Sequence, residues 1–182
     1  MAIMHPEKPA SFDPNSHEDL MFEALKALPD EYYVFHSFSI VNVIDSTIYE
    51  SETDFVIFHA KKGLLCIEAK AGQVKCDNGI WKYGSGIEMS HGGPFSQASQ
   101  NKWKLKKYIE NAGLGMLLDR CKLMHAVWFP SVNRKNLDRI SFPSEADKKL
   151  TLTIEAINDI DGAVSSIFDV HLPRDVKTAL SK

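Results

Sequence analysis

The feature that most constrains the fold is a pair of short apolar runs separated by a five-residue linker. The runs occupy residues 55–58 and 64–67 and are rich in β-branched and other large apolar side chains. The linker ends in Gly63, which fits a three-residue hairpin loop with the glycine in a left-handed backbone conformation. We therefore predict a buried antiparallel hairpin in which Ala60 pairs with Leu64.

Three charged side chains lie at the open end of this predicted hairpin: Asp54, Glu68 and Lys70. Residues two apart in a strand share a face, so Glu68 and Lys70 should point the same way. The predicted register places Asp54 opposite Lys70 and one diagonal step from Glu68, so all three should lie within about 5–8 Å of one another. Charged groups beside an apolar hairpin are destabilising unless they have partners.

Two interpretations of this charged group remain open at this point. One is a surface salt bridge between Lys70 and either acid, which would add little stability. The other is a divalent-metal site in which Asp54 and Glu68 supply hard oxygen ligands to Mg²⁺. In that case Lys70 would orient or deprotonate a water molecule, or neutralise charge in the transition state.

The remaining apolar pattern predicts an α/β fold with a central mixed β-sheet flanked by helices. Residues 1–12, rich in proline and polar groups, are expected to form a flexible arm before a single domain over 13–172. A helix with a stripe of Met21, Phe22, Leu25 and Leu28 precedes the hairpin, and residues 173–182 are expected to form a C-terminal helix. The other expected elements are strands at 32–43, 123–129 and 150–154, a hairpin at 73–83, and helices at 95–111 and 155–168.

Charge is distributed unevenly along the chain, although the net charge is only -3 over 182 residues. Residues 1–60 carry 2 basic and 11 acidic side chains, whereas residues 61–135 carry 13 basic and 5 acidic ones. This segregation indicates an acidic cluster facing a basic surface, so a small net charge does not exclude a nucleic-acid partner.

Composition excludes several classes of protein. No apolar run approaches the ~18 residues of a membrane helix, so no membrane association is expected. The 3 cysteines are an odd number without metal-type pairing, which argues against a disulfide framework. The 7 histidines lack zinc-type spacing, which argues against a zinc site. Unpaired cysteines favour a reducing, cytoplasmic compartment.

The helix expected over 95–111 carries a polar stripe beside its apolar one. Amide and ammonium groups on one exposed stripe suit contacts to a phosphate backbone, although an ordinary solvated helix face is the alternative. Lys102 lies in the densest basic run of the chain, residues 101–107, and we include it in the candidate nucleic-acid surface. The stripe consists of Gln97, Gln100, Lys104 and Lys107.

These motifs together resemble the nuclease-related domain (NERD) family of the PD-(D/E)XK nuclease superfamily. The resemblance covers roughly residues 12–130 and lies in Glu18 and in the segments ETDFVIF, GLLCIEAKAG and PFSQA, which begin at residues 52, 63 and 94. It implies a three-layer α/β core of the restriction-endonuclease type and metal-dependent hydrolysis of phosphodiester bonds with Mg²⁺ or Mn²⁺. It also implies association with a helicase or another DNA-processing module, with a further domain after residue 182 as an expectation.

The resemblance assigns roles residue by residue. Asp54, Glu68 and Lys70 match the catalytic residues of the superfamily, and Gln97 matches a polar residue on the helix that follows the sheet. The implied metal-contacting positions are Asp54, Glu68, Ala69 and Glu18.

Glu18 matches the acid on the first helix that assists the metal, usually through water. Family members commonly have glycine before this acid, where this chain has His17. From the residues alone, Glu18 is equally an acid in a first helical turn, where the helix macrodipole stabilises it by about 0.3–1 kcal/mol.

Two functions follow from the sequence. The first is a metal-dependent DNA nuclease, as part of a DNA-processing or repair protein. The second is a non-cleaving DNA-binding module of the same fold, which positions a fused helicase or other partner.

Overall fold

The computed structural model describes residues 1–44 and 46–171, and in this part of the chain helices flank a central mixed β-sheet. This confirms the predicted α/β fold; the helix expected over 173–182 lies outside the described residues. The strands are β1 (Ile3–His5), β2 (Tyr32–Ile44), β3 (Thr47–His59), β4 (Gly63–Ala69), β5 (Val74–Asp77), β6 (Ile80–Tyr83), β7 (Leu123–Trp128) and β8 (Thr151–Leu152). The helices are α1 (Glu18–Lys26), α2 (Pro94–Asn111), α3 (Gly115–Leu118), α4 (Arg134–Asp138) and α5 (Ile160–Asp169).

The main sheet has the strand order β1-β2-β3-β4-β7-β8, and β5 and β6 form a separate two-stranded sheet. The β2-β3-β4 strands are antiparallel, whereas β1, β7 and β8 run parallel to the strands beside them. Alternate residues of the central strands face opposite sides of the sheet. Val56 and Cys66 pack with Leu105 of α2 on one side, while Phe55 and Ile67 join the larger core that contains α1 and α5 on the other. The domain thus has three layers.

The β3–β4 hairpin forms two residues out of the predicted register. His59, rather than Ala60, closes the loop by pairing with Gly63, so the loop is 60–62 and Gly63 begins β4. A shift of two residues leaves every side chain on its expected face, because side chains alternate with a period of two. Continuing the observed register places Asp54 opposite Glu68 rather than opposite Lys70.

Gly63 is required by the close approach of the neighbouring strand. Its φ is +117°, and a Cβ atom there would lie 2.1 Å from the carbonyl oxygen of Lys122. The same carbonyl accepts a hydrogen bond from the Leu64 N–H at 2.8 Å, which starts the parallel pairing of β4 with β7. The glycine therefore fixes strand pairing as well as the end of the loop.

The expectation of a flexible arm over residues 1–12 is wrong for its first part. Residues 3–5 form β1, and Met4 pairs in parallel with Val34 of β2. Ala2 and Met4 are both buried, because their side chains cover the edge of the core. A strand of three residues is too short for periodicity to reveal it.

The C-terminal part of the domain is more finely divided than the sequence predicts. The expected strand 150–154 is reduced to β8, and a 3₁₀ turn at Ile154–Ile157 precedes α5. The short helices α3 and α4 were not predicted. Among the described residues, none of the helices combines the length and apolar character needed to cross a bilayer.

Candidate active site

Asp54 lies where the pairing of β2 and β3 is interrupted. His36 pairs with Phe55 and Phe38 pairs with Thr53, but Ser37 and Asp54 between these pairs are not paired. Ser37 has a left-handed φ of +49°. The Asp54 carboxylate turns towards β4, where its Oδ2 accepts the backbone N–H of Ala69 at 2.7 Å. The register is the same on both sides of this interruption, and strained backbone is common at functional sites.

Glu68 is the most buried of the acids, with 2% of its surface exposed. Its Oε1 accepts the Lys70 ammonium at 2.6 Å, which confirms that these two side chains share a face. Gln97 of α2 also hydrogen-bonds Glu68. Asn101, one turn further along α2, donates to Glu68 Oε2 at 3.4 Å and to the carbonyl of Glu52 at 3.0 Å. Helix α2 therefore holds the Glu68 carboxylate through two amides.

Asn101 was missed by sequence reasoning, although a signal was present. It follows Gln97 by four positions, so the two amides share one face of the helix. The prediction treated residues 101–107 as a basic surface run and did not consider that its first residue faces the sheet.

The electrostatics of these groups are those of acids forced together in a partly dry site. Burial, and then the nearby Glu68 carboxylate, raises the pKa of Asp54 to about 7. Burial also raises the pKa of Glu68, although Lys70 opposes the shift. Burial lowers the pKa of Lys70, but the Glu68 and Asp54 carboxylates outweigh burial and raise it above its ordinary value. Lys70 thus stays an ammonium, and a further cation would relieve the repulsion between the acids.

Glu18 begins α1 and has a partner that the sequence did not reveal. Its Oε2 lies 3.0 Å from Nε2 of His36, a nearly buried side chain of β2. His36 is 18 positions away on another element, so no local pattern relates the two residues.

Glu18 and Asp54 meet in one cavity of about 330 Å³. Lys70 also lines this cavity, and so does Tyr83 of β6, which was not predicted as a site residue. The cavity is lined by Asp13, Asn15, Ser16, Glu18, Asp54, Ala69, Lys70, Ala71 and Tyr83. A larger cavity of about 1070 Å³ lies beside α5 and contains none of the predicted site residues.

His17 adopts a backbone conformation that favours glycine. It is the N-cap of α1, with a left-handed φ of 57° and no side-chain cap hydrogen bond. A left-handed conformation is unfavourable by about 1–2 kcal/mol for residues other than glycine. The left-handed backbone at this position thus favours glycine, and His17 adopts it although it is not glycine.

We expect His17→Gly to raise the free energy of unfolding by up to about 1 kcal/mol, because relief of backbone strain exceeds the added flexibility of the unfolded chain. Urea titration measures the change. Asp19→Gly, in the exposed first turn of the same helix, is the control and should lower stability by a similar amount. Equal destabilisation by both changes would contradict this account of the turn.

The polar stripe of α2 is present in part. Gln100, Lys104 and Lys107 are exposed, and Gln97 is half-buried and turned towards Glu68. The assignment of Lys102 to this surface is corrected: it is 7% exposed and its ammonium lies 4.6 Å from the ring centroid of Trp103. Residues two apart on a helix lie about 160° apart around the axis, so Lys102 and Lys104 face different sides.

Comparison with protein families agrees with this architecture. The family model described as the nuclease-related domain matches residues 14–130, which is more than half of the chain and includes β3, β4, α1 and α2. The chain belongs to the nuclease-related domain (NERD) family. No curated protein and no solved structure matches the chain.

The NERD site offers a divalent cation a hard but incomplete set of ligands. Within residues 1–44 and 46–171, no group of three or more His, Cys, Asp or Glu side chains is arranged to hold one metal ion. Asp54 and Glu18 line one cavity, and the only oxygen that Ala69 offers is its backbone carbonyl. Mg²⁺ commonly binds one or two protein carboxylates, with water and substrate phosphate completing its shell. The residues present fit such a site.

Proposed function

We propose that this NERD domain is a Mg²⁺- or Mn²⁺-dependent DNA nuclease that hydrolyses phosphodiester bonds. The observation that carries the proposal is the convergence of Asp54, Glu18 and Lys70 on one cavity beside the middle of β3 and the end of β4. The raised pKa of Asp54 marks this cavity as a place where negative charge lacks compensation. A cation together with the phosphate it binds would supply that compensation.

Each side chain of the site has a role that its contacts support. A bound Mg²⁺ or Mn²⁺ would activate water and neutralise charge at the phosphate. Asp54 and Glu18 would bind the cation, and the Ala69 N–H fixes the orientation of Asp54.

Lys70, kept charged by Glu68, would stabilise negative charge on the phosphate rather than accept a proton. Gln97 and Asn101 keep the Glu68 carboxylate in place.

The second candidate function is a DNA-binding module that does not cut. It is favoured by the 2.6 Å contact of Lys70 with Glu68, because this contact engages the ammonium that would otherwise face a phosphate. In that case the exposed lysines of α2 would carry the function.

A cleavage assay on labelled single- and double-stranded DNA with Mg²⁺ or Mn²⁺ separates the two functions. We expect wild type to cut, and Asp54→Ala and Lys70→Ala each to lose about 100-fold or more in rate. Glu50→Gln, an exposed acid on the same strand, is the control and should leave the rate unchanged. Cutting that persists in both site variants would refute the site, and binding without any cutting by wild type would favour the second function.

The exposed lysines of α2 give an independent prediction about DNA binding. Replacing both Lys104 and Lys107 with Gln should weaken binding and reduce the magnitude of the log Kd against log salt slope by about 2. Fluorescence anisotropy at several salt concentrations measures this slope. Lys106→Gln is the control on the same helix, because Lys106 is paired with Glu110. A slope unchanged in the double variant would place the DNA on another surface.

We further propose that the domain acts in DNA repair or processing, with a helicase module as partner and in a reducing, cytoplasmic compartment. The NERD assignment supports the first part. The free thiols of Cys66, Cys76 and Cys121 support the second, since oxidising compartments favour disulfides.

A further inference from the structure

His36 is packed among aromatic rings and also contacts a carboxylate. Three aromatic rings surround its imidazole, with centroid distances of 5.5 Å to Phe12, 5.7 Å to Phe22 and 5.1 Å to Phe55. These rings leave the imidazole little rotational freedom, and its side chain is only 5% exposed. The polar edge of the ring meets the carboxylate of Glu18 at 3.0 Å.

The direction of this hydrogen bond follows from the chemistry of the two groups. An ionised carboxylate only accepts hydrogen bonds, so Nε2 of His36 carries the hydrogen and donates it to Oε2 of Glu18. The bond engages one oxygen of the Glu18 carboxylate, Oε2. Glu18 also lines the cavity that contains Asp54, with its side chain 24% exposed.

We propose that His36 is a positioning residue that holds Glu18 in the orientation needed to bind a divalent cation opposite Asp54. The role rests on the proposed metal-dependent function and deepens it by adding a buried imidazole behind the helix acid. Glu18 is the first residue of α1 and follows the strained backbone of His17. The position of its backbone alone therefore does not fix the orientation of its carboxylate. Partners of this kind behind metal ligands typically contribute 10–100-fold to metal affinity.

The aromatic setting of His36 also supplies conservative variants. His36→Phe keeps a ring among Phe12, Phe22 and Phe55 but removes the donor. His36→Gln keeps a side-chain N–H donor at about the position of Nε2. If His36 had a purely structural role, the stability of the variants would depend on whether they keep a ring. If it positions Glu18, their metal affinity depends on whether they keep the N–H donor.

The test measures binding of Mn²⁺ to the DNA-free protein by calorimetry or by the electron paramagnetic resonance signal of free Mn²⁺. We expect His36→Phe to weaken Mn²⁺ binding about 10-fold while the thermal midpoint without metal stays within about 3 °C of wild type. His36→Gln should lie within about 3-fold of the wild-type affinity. Glu18→Gln should weaken binding, and adding His36→Phe to it should have no further effect, because the residue that His36 positions is then altered.

The outcomes separate this inference from the proposed function. Unchanged Mn²⁺ affinity in His36→Phe, with weakened affinity in Glu18→Gln, would overturn the role of His36 alone. An equal loss from His36→Phe with and without Glu18→Gln would also overturn it. Failure of wild type to bind Mn²⁺ would overturn the metal site and this role together, whereas Mn²⁺ binding without DNA cleavage would overturn only the nuclease proposal.

Discussion

Asp54→Asn is expected to stabilise the metal-free protein at pH 8 while removing DNA cleavage. At this pH the partly buried Asp54 carboxylate is ionised beside Glu68, and the opposing charge of Lys70 does not outweigh burial and this repulsion. An amide of the same shape removes the charge, and its oxygen can still accept the Ala69 N–H that now binds Oδ2. The substitution thus removes repulsion and keeps the hydrogen bond, at the expense of the proposed metal ligand.

The pH dependence gives the sign of the effect. The pKa of Asp54 is about 7 in the folded protein, above its ordinary value of 3.8. The folded state therefore binds this proton more tightly than the unfolded state. The resulting stabilisation is fully present below pH 3.8 and is lost as the pH rises through about 7. In EDTA, the unfolding free energy of wild type should fall by a few kcal/mol between pH 5 and pH 8 relative to Asp54→Asn.

Urea titrations of the two proteins at pH 5 and pH 8 measure this difference, with Glu50→Gln as the control for an exposed carboxylate on β3. Mn²⁺ at pH 8 should reverse the order of stability. It should stabilise wild type by about 2.7 kcal/mol at a concentration 100 times its Kd, and it should stabilise Asp54→Asn far less. An identical pH dependence of stability in wild type and Asp54→Asn would show that the pKa of Asp54 is not raised in the folded protein.

Gly63→Ala is expected to have the largest effect on folding. The new methyl group would lie 2.1 Å from the Lys122 carbonyl oxygen and 2.9 Å from two other backbone atoms of that residue. The Lys122 backbone, directly before β7, cannot move away without breaking the hydrogen bond that starts the β4–β7 pairing. We expect a loss of at least about 3 kcal/mol in unfolding free energy, or failure to fold.

Gly113→Ala is a matched control for this prediction. Gly113 also has a positive φ, +76°, but a Cβ there would meet nothing within 4 Å. The control carries the strain of a left-handed alanine without the clash, and it should lose about 1 kcal/mol. Urea unfolding of both variants separates the two causes. Equal losses would show that φ, rather than the approach of β7, explains Gly63.

Much of the sheet could be predicted because its sequence signals are local. The apolar run around Phe55 and the one around Leu65 are long enough to identify buried strands, and their alternation fixes which side chains share a face. The same parity explains why Glu68 and Lys70 were placed together correctly although the register was wrong by two residues. Alternation determines the face but not the partner, so a two-residue slip leaves no trace in the pattern.

The parts that could not be predicted depend on contacts between distant elements. Strand β1 is defined by its pairing with β2 rather than by its three residues. His36 reaches Glu18 across the gap between β2 and α1, and Asn101 reaches Glu68 from α2. Lys102 shows the opposite error, because a charge run was taken as a surface although helical geometry turns one of its lysines inward.

The proposed metal-dependent cleavage is tested by comparing wild type with Glu68→Gln, which lacks the carboxylate that keeps Lys70 charged. Both proteins are treated with EDTA, freed of the chelator and mixed with one labelled DNA before and after Mn²⁺ is added. We expect no cutting before Mn²⁺, cutting by wild type after it, and a rate at least about 100-fold lower for Glu68→Gln. The exposed-acid variant Glu50→Gln should cut like wild type. Cutting by wild type in the absence of metal would contradict the metal-dependent mechanism, and equal cutting by Glu68→Gln would contradict the role of Glu68 beside Lys70.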